Sequence, residues 1–154
     1  MSSPVIICDL DGTLCSIKWR SGFVERPEGE KKDWKSFFAG IPFDRPNTEV
    51  LDYLKDWALR GGKIFYVSGR PSDYRKETVD WMAKHLIPHG TLLMRRSGDF
   101  RPDHEVKEEI LDQYLKDKDI HLVLDDRQSV IDMWERRGLK VLKISDPGIA
   151  PFER

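Results

Sequence analysis

The fold follows from one segment of the sequence, Pro4-Val5-Ile6-Ile7-Cys8-Asp9-Leu10-Asp11-Gly12-Thr13-Leu14. Residues 5–8 are apolar and mostly β-branched, which is typical of a strand buried on both faces of a parallel α/β sheet. Asp9 and Asp11 follow at the carboxyl end of this strand, where such sheets bind their ligands. Buried carboxylates are costly without a balancing cation. The segment therefore predicts a metal or cation site at the tip of a central strand.

Length and composition indicate one domain. The chain has 154 residues, enough for a sizeable core, so we expect residues 1–154 to fold together. Charged residues make up 34% and the net charge is -1, which excludes a strongly basic nucleic-acid-binding protein at the level of total charge. No apolar run approaches the roughly 20 residues of a membrane span, and residues 1–4 lack the features of a signal peptide. The two cysteines, Cys8 and Cys15, suggest no disulfide framework. We therefore expect a cytoplasmic protein without a membrane partner.

Helix and strand patterns alternate along the rest of the chain. Apolar residues recur at helical spacing over 48–58, Ser72 or Asp73 is expected to cap a second helix, a third begins near Asp103, and a fourth spans about 129–137. Further strands are predicted at 63–67, 91–94, 120–124 and 140–144. This alternation predicts right-handed crossovers and a parallel sheet with helices on both faces.

Residues 15–45 show no clear period and mix aromatic residues with a charged run. A structureless connection of this length is uncommon in a compact domain, and such loops often act as lids or binding loops. We therefore predict a small cap or flap inserted after the first strand. The alternative is an extended surface loop held by its aromatic residues. Some of these residues could stack on a nucleobase, although packing of the cap onto the body is the favoured role: Trp19, Trp34, Phe37 and Phe38.

Polar residues follow three of the predicted strands. Asp9 and Asp11 follow the first strand, a predicted tight turn, Ser68-Gly69-Arg70-Pro71, follows the second, and Asp125 and Asp126 follow the fourth. Lys107 lies near the start of the helix between the third and fourth strands. In a doubly wound sheet these strand ends converge. Several carboxylates around one point predict a hard divalent cation such as Mg²⁺.

These residue types suit phosphoryl transfer. Asp9 can attack phosphorus and form an aspartyl-phosphate, and Asp11 can protonate the leaving group and later activate water. Ser68, the amides of its turn and Lys107 can hold the phosphate oxygens. Taken singly, each feature has a structural explanation, as an Asx-type turn, a strand-to-helix turn, a helix cap or a solvated helix face. Their occurrence together at successive strand ends favours the catalytic interpretation.

The pattern resembles the four motifs of the haloacid dehalogenase superfamily, through Asp9-Leu10-Asp11-Gly12-Thr13, Ser68, Lys107 and Asp125-Asp126. The resemblance implies a three-layer Rossmann-like fold whose five parallel strands take the order 3-2-1-4-5 by strand number. It implies Asp9 as nucleophile and Asp11 as general acid and base. It also implies Mg²⁺ as cofactor, held by Asp9, the carbonyl of Asp11 and Asp125, with Asp126 close by.

A closer resemblance is to the 3′-phosphatase domain of phage-type polynucleotide kinase-phosphatases. It rests on residues 66–70, 93–96, 106–110, 125–127 and 133–134. In that family, arginines around the site bind the nucleic-acid substrate. The resemblance implies this role for Arg70 beside Gly69, for Arg20, and for Arg95 or Arg96, with Arg127 as a further candidate. The sequence contains no Gly-x-x-x-x-Gly-Lys-Ser/Thr phosphate loop, so a separate kinase or ligase is a candidate partner.

Three hypotheses about function follow. The first is a Mg²⁺-dependent phosphomonoesterase that removes 3′-phosphate from DNA or RNA ends during repair. The second keeps this chemistry but acts on free nucleotides or other small phosphomonoesters. The third belongs to another class, a non-catalytic phosphate-binding or interaction module, and the presence of both Asp9 and Asp11 argues against it.

Overall fold

Five parallel strands form the main sheet of the computed structural model, which describes residues 3–153. A separate antiparallel pair, β2 with β3, lies outside this sheet. The strands are β1 (Val5–Cys8), β2 (Cys15–Ser16), β3 (Arg45–Pro46), β4 (Lys63–Pro71), β5 (Thr91–Arg95), β6 (Ile120–Asp125) and β7 (Val141–Lys143). The main sheet has the order β5-β4-β1-β6-β7. Counted along the main sheet alone, this is the predicted order 3-2-1-4-5, which is confirmed.

Both faces of β1 are buried, as its apolar sequence predicts. Ile6 and Cys8 belong to one apolar cluster, and Val5 and Ile7 belong to a second cluster on the other side of the sheet. Because successive side chains of a strand point to opposite faces, a central strand covered on both sides must be apolar throughout. All four residues of β1 are at most 1% exposed.

Helices cover the two faces of the sheet and make a three-layer α/β architecture of the Rossmann-like, haloacid-dehalogenase-like kind. One apolar cluster contains residues of α3 and α4, and the other contains residues of α5 and α6. The helices are α1 (Lys18–Ser21), α2 (Trp34–Ala39), α3 (Thr48–Leu59), α4 (Arg75–Lys84), α5 (Asp103–Ile110) and α6 (Gln128–Arg136). Short 3₁₀ turns occupy Ile41–Phe43 and Ser72–Tyr74, and a π-helical turn, Leu111–Leu115, extends α5.

The region after the second strand of the main sheet differs from the prediction. Strand β4 continues through Ser68–Pro71, where a tight turn was expected, and its pairing with β5 shifts register between Ser68 and Pro71. Such an irregularity bends a strand and redirects its side chains. The expected helix cap is also wrong, because neither Ser72 nor Asp73 caps α4. Their side chains instead accept hydrogen bonds from the amide and hydroxyl of Ser97.

Residues 15–45 are more ordered than their sequence suggests. The segment begins and ends in the β2–β3 ladder and contains α1, α2 and a 3₁₀ turn. Helix α2 begins after Asp33, whose carboxylate accepts a hydrogen bond from the amide of Ser36. Phe37 and Phe38 are buried against the body of the protein, so the packing role expected for them holds.

The irregular tail after β7 fastens this inserted segment to the sheet. The carboxylate of Asp146 accepts hydrogen bonds from the hydroxyl of Ser16 at 2.6 Å and from the amide of Ile17 at 2.8 Å. Further along, the amide of Phe152 donates to the carbonyl of Phe43. The two ends of the insert are therefore held both by their own ladder and by the tail.

Candidate active site

A cavity of about 1030 Å³ opens at the carboxyl edge of the main sheet. It is bounded on one side by the inserted segment and on another by the loop 96–102. Five residues singled out from the strand ends and from α5 line it together: Asp9, Asp11, Lys107, Asp125 and Asp126. The convergence expected of parallel strand ends therefore occurs in the fold.

Asp9 lies at the centre of this group. One carboxylate oxygen accepts a hydrogen bond from the Lys107 ammonium at 2.9 Å, and the other accepts one from the Thr13 hydroxyl at 3.0 Å. Lys107 also donates to Asp125 at 3.1 Å, so it bridges two carboxylates from neighbouring strands. The second of these, Asp125, is held in place by the indole N–H of Trp134. Asp9 is thereby presented to the cavity in one orientation.

Three carboxylates form a candidate cation site. Oxygens of Asp9, Asp125 and Asp126 lie within 4.8 Å of one another. Burial and the charge of Asp125 raise the pKa of Asp9, and the Lys107 ammonium only partly offsets this effect. Burial also raises the pKa of Asp126. The raised pKa values of Asp9 and Asp126 mean that their ionised forms are disfavoured, and a hard divalent cation bound to their oxygens would stabilise the ionised forms.

Gly12 creates the space that Asp126 occupies. Its φ is +84°, a conformation that other residues rarely adopt. A Cβ placed on it would lie 2.7 Å from Cγ of Asp126, well inside ordinary van der Waals contact, which begins near 3.4 Å. The first motif therefore makes two further contributions to the site. Gly12 leaves room for Asp126, and Thr13 orients Asp9 through a hydrogen bond.

Asp11 is held by two arginines. Arg70 donates two hydrogen bonds to its carboxylate, at 3.0 and 2.5 Å, and Arg20 donates one at 3.0 Å. Burial alone would raise the pKa of Asp11, but the charges and hydrogen bonds of Arg70 and Arg20 outweigh burial and lower it. Asp11 is therefore a carboxylate in this arrangement, and its side chain does not belong to the Asp9 cluster.

The burial of Arg20 and Arg70 does not favour the substrate-binding role that the resemblance implied. Both side chains are at most 1% exposed. Arg20 also makes two hydrogen bonds to Asp44, which is completely buried, and one to the carbonyl of Phe37. Both arginines are thus positioned to orient Asp11. Asp44 went unnoticed in the sequence because no motif marks it, and only the fold brings it to Arg20.

The irregularity in β4 shapes the neighbouring wall of the cavity. Gly69 and Arg70 line the cavity, whereas Ser68 is buried and its hydroxyl accepts a hydrogen bond from the Arg70 amide at 3.0 Å. Gly69 lies so close to Asp103 that an added Cβ would be 2.6 Å from its carboxylate. Asp103, a second residue missed in the sequence, would be displaced by any side chain at position 69.

Arg95 and Arg96, both candidates for substrate binding, lie in different surroundings, because Arg95 lines the cavity and Arg96 does not. Arg95 is buried and donates to the carbonyls of Gly69, Asp99 and Arg101 and to the carboxylate of Asp103. Its donors stabilise the loop that follows β5. Arg96 is exposed and lies outside the lining of the cavity.

Two other arginines lie at the cavity. Arg127, the further candidate for substrate binding, lines it and donates to Asp103 at 3.0 Å. Arg101 also lines it and is held by Asp99 and Glu109. Arg101 was missed because a charged residue in a loop looks like ordinary surface.

A Rossmann-like sheet of this order, with Asp9, Lys107 and the two aspartates after β6 at its carboxyl edge, defines a phosphatase of the haloacid dehalogenase type. Residues 3–148 match the family described as the polynucleotide kinase PNKP phosphatase domain, and the chain belongs to that family. The family is one of phosphoric monoester hydrolase domains. The hypothesis of a non-catalytic module is therefore not supported.

Known structures agree with this assignment. A chain in the structure of the Pnkp1/Rnl/Hen1 RNA repair complex is 31% identical, with a TM-score of 0.78 over 93% of this chain. The similarity covers 42% of that chain, so the present chain spans less than half of it. The class C acid phosphatase from Bacillus anthracis is 21% identical, with a TM-score of 0.65 over 96% of this chain and 68% of its own, and shares the fold.

A shorter match is to membrane-associated phosphatidylinositol transfer protein 2 of Mus musculus. It is 33% identical over 61 residues, which are 37% of this chain and 5% of that protein. Within residues 3–153, no helix has the length and apolar character needed to cross a membrane.

Proposed function

We propose that the protein removes the phosphate from the 3′ end of a nucleic acid, with Mg²⁺ as cofactor and an aspartyl-phosphate on Asp9 as intermediate. The observation that supports this most directly is the position of Asp9. Its carboxylate accepts a hydrogen bond from the Lys107 ammonium, belongs to the group of three acidic residues of the cation site, and lines the cavity. A nucleophile must be oriented and charged, and these neighbours act on both properties.

The reaction proceeds in two displacements. An Asp9 carboxylate oxygen attacks phosphorus, the bond from phosphorus to the sugar oxygen breaks, and the departing oxygen takes a proton from Asp11. A water then attacks the same phosphorus, Asp11 accepts the proton of that water, and the acyl-phosphate bond breaks to free Asp9 and inorganic phosphate. Lys107 and the backbone near Gly69 hold the phosphoryl oxygens, as proposed from their place at the cavity.

The arginine pair sets a condition on the first displacement. Because Arg70 and Arg20 lower the pKa of Asp11, its carboxylate is ionised before substrate binds. Asp11 can serve as donor only after it gains a proton from solvent or from the entering phosphate, and release of a guanidinium contact would favour that step by raising its pKa. The same contacts fix the direction in which the Asp11 carboxylate faces the cavity.

Asp9, Asp125 and Asp126 would hold the Mg²⁺ ion, with the carbonyl of Asp11 as the further ligand that the family resemblance implies. The bound ion supplies charge neutralisation for the phosphoryl group and orients it for in-line attack. Lys107 remains a fixed positive charge beside it, because the charges of Asp125 and Asp9 outweigh burial and raise its pKa.

The proposed substrate class rests on family membership. The family is named for polynucleotide kinase, and a related chain is found in a complex described as an RNA repair complex. On that likeness we favour an RNA end as substrate and a repair assembly with a separate ligase or kinase as partner. Residues 15–45 would act as a small cap that selects the substrate, and the free buried thiols of Cys8 and Cys15 suit a reducing cytoplasmic setting.

The decisive experiment compares phosphate release from four substrates in the presence of Mg²⁺. These are a 3′-phosphorylated RNA oligonucleotide, its DNA counterpart, a 3′-mononucleotide and a 5′-mononucleotide. We expect the oligonucleotides to be cleaved with the higher kcat/KM. A strong preference for mononucleotides would support the second hypothesis and remove the polynucleotide assignment.

The Asp9→Asn variant is the control for the chemistry. It keeps the size of the side chain but removes the nucleophilic charge, so phosphate release should be abolished while the thermal unfolding curve keeps its shape. Substantial turnover by Asp9→Asn, at the same protein concentration, would show that another group attacks phosphorus.

A further inference from the structure

The inserted segment presents a tryptophan to the cavity. Trp34 lines the cavity and is 49% exposed. Its ring stacks on Phe38 with centroids 5.8 Å apart, and Phe38 in turn stacks on Tyr74 at 4.4 Å. The ring is thus supported by a row of aromatic side chains that reaches the body of the protein. A supported, half-exposed indole is a rigid apolar surface at low entropic cost.

A second boundary of the cavity, the loop 96–102, presents a phenylalanine. Phe100 belongs to the loop 96–102, lines the same cavity and is 94% exposed. The loop around it is well anchored, since Ser97 is bonded to Ser72 and Asp73, and Arg95 donates to two of the loop carbonyls. The loop therefore holds an apolar ring in water beside the proposed reaction site.

Basic side chains lie near both Trp34 and Phe100. The Lys32 ammonium lies 5.7 Å from the centre of the Trp34 ring, and Lys32 lines the cavity. Arg101 follows Phe100 directly and also lines the cavity, as does Arg127. An exposed aromatic ring next to a basic group, repeated on two boundaries of one cavity, is the combination by which proteins bind single-stranded nucleic acid. A single exposed aromatic residue would need no such explanation.

We propose that Trp34 and Phe100 stack on unpaired nucleobases next to the phosphorylated end, while Lys32 contacts the backbone phosphates that follow. This inference rests on the proposed function, because it places the bases around the same reaction site. Stacking uses the π-face that every base has, so it secures the nucleic-acid strand without selecting a sequence. The rings bind the strand, and the Asp9 site performs the reaction.

The test uses two RNA oligonucleotides with a 3′-phosphate, one with normal bases and one abasic at its last two positions. For Trp34→Ala and for Phe100→Ala we expect kcat/KM on the normal oligonucleotide to fall on the order of 10-fold, mainly through KM. The abasic oligonucleotide has no base to stack at its last two positions, so both variants should cleave it with the same kcat/KM as the unaltered protein. Trp34→Phe, which keeps an aromatic face, should retain most of the activity.

Tyr114→Ala is the matched control. Tyr114 is 51% exposed, close to the value for Trp34, and lies in the Leu111–Leu115 turn outside the lining of the cavity. Its replacement should leave kcat/KM unchanged on both the normal and the abasic oligonucleotide. A binding measurement complements the kinetics: in an Asp9→Asn background, 2-aminopurine at the 3′-terminal position should lose fluorescence on binding, and Trp34→Ala should weaken that binding about as much as it raises KM.

The outcomes separate the possibilities. An equal loss on normal and abasic oligonucleotides would mean that Trp34 only packs the inserted segment, and it would overturn the proposal. Unchanged KM in either alanine variant would overturn the arrangement of two stacking rings. If the unaltered protein cleaves small phosphomonoesters but not 3′-phosphorylated oligonucleotides, then the proposed function itself has failed, and this inference fails with it.

Discussion

Replacing Gly12 with alanine isolates the contribution of one methyl group to the cation site. In the structure the backbone of Gly12 passes so close to Asp126 that an added Cβ would lie 2.7 Å from the Cγ atom of that side chain. The carboxylate must therefore move away by the better part of an ångström or more. Asp126 is one of the three acidic residues whose oxygens lie within 4.8 Å of one another, and this movement would open the group.

The substitution has two separable effects. The φ of +84° at Gly12 penalises any residue with a Cβ by about 1–2 kcal/mol, which for a domain of this size lowers Tm by roughly 2–8 °C. Displacement of Asp126 adds a loss of metal affinity or activity of about 10- to 100-fold, the usual effect of disturbing residues around a metal site. The first effect concerns stability, and the second concerns Mg²⁺.

Gly61→Ala supplies the control for the backbone effect. Gly61 has a φ of +85°, nearly equal to that of Gly12, but an added Cβ there would meet nothing within 4 Å. Gly61→Ala should lower Tm by a similar amount and leave the Mg²⁺ dependence of phosphate release unchanged. Gly12→Ala should raise the Mg²⁺ concentration needed for half-maximal release, measured at one temperature well below both Tm values.

One result would contradict this account. If Gly12→Ala loses stability as Gly61→Ala does but shows the Mg²⁺ dependence of the unaltered protein, then Asp126 either does not belong to the cation site or can leave its place without consequence. Loss of activity in both variants to the same degree would instead attribute the effect to backbone strain.

Three further variants test the arrangement around the site. Arg20→Met leaves the buried carboxylate of Asp44 without its main partner, so the free energy of unfolding in urea should fall by about 3–5 kcal/mol. Adding Asp44→Asn removes the unpaired charge and should restore part of this stability. Equal stability of the single and double variants would contradict the pairing. Lys107→Met removes the cation between two carboxylates and should lower kcat at least about 100-fold, whereas near-normal turnover would exclude Lys107 from the site. Asp146→Ala removes two hydrogen bonds to the start of the inserted segment and should speed hydrogen exchange at the Ile17 amide; unchanged exchange would show that the tail does not hold the segment.

Much of the fold could be predicted because its signals are local. A buried parallel strand must be apolar on both faces, so Val5–Cys8 stands out in the sequence, and each crossover helix shows its own period. The strand order agrees with the haloacid dehalogenase resemblance. The errors fell where tertiary pairing overrides local preference: Ser68–Pro71 contains glycine and proline and looks like a turn, yet β5 keeps it extended.

The roles of the arginines could not be predicted from their positions in the sequence. Arginine near a phosphate site suggests substrate binding, but Arg20 and Arg70 lie buried against Asp11 and Asp44. Arg95, likewise, stabilises its own loop. Whether a cation faces substrate or a carboxylate depends on which residues from distant segments surround it. Asp44 and Asp103, which carry no motif, make that difference.

The sequence by itself determined which chemical groups meet at the site. Parallel strands share one carboxyl edge, so the residue types that follow each strand specify which groups meet there, and Asp9, Lys107 and Asp125 do meet. The tertiary contacts decided the pKa, the orientation and the exposure of the individual side chains. Charge, orientation and exposure arise from neighbours many residues away. Only the folded chain shows that two arginines keep the pKa of the buried Asp11 low, that Gly12 admits Asp126, and that Trp34 lines the cavity.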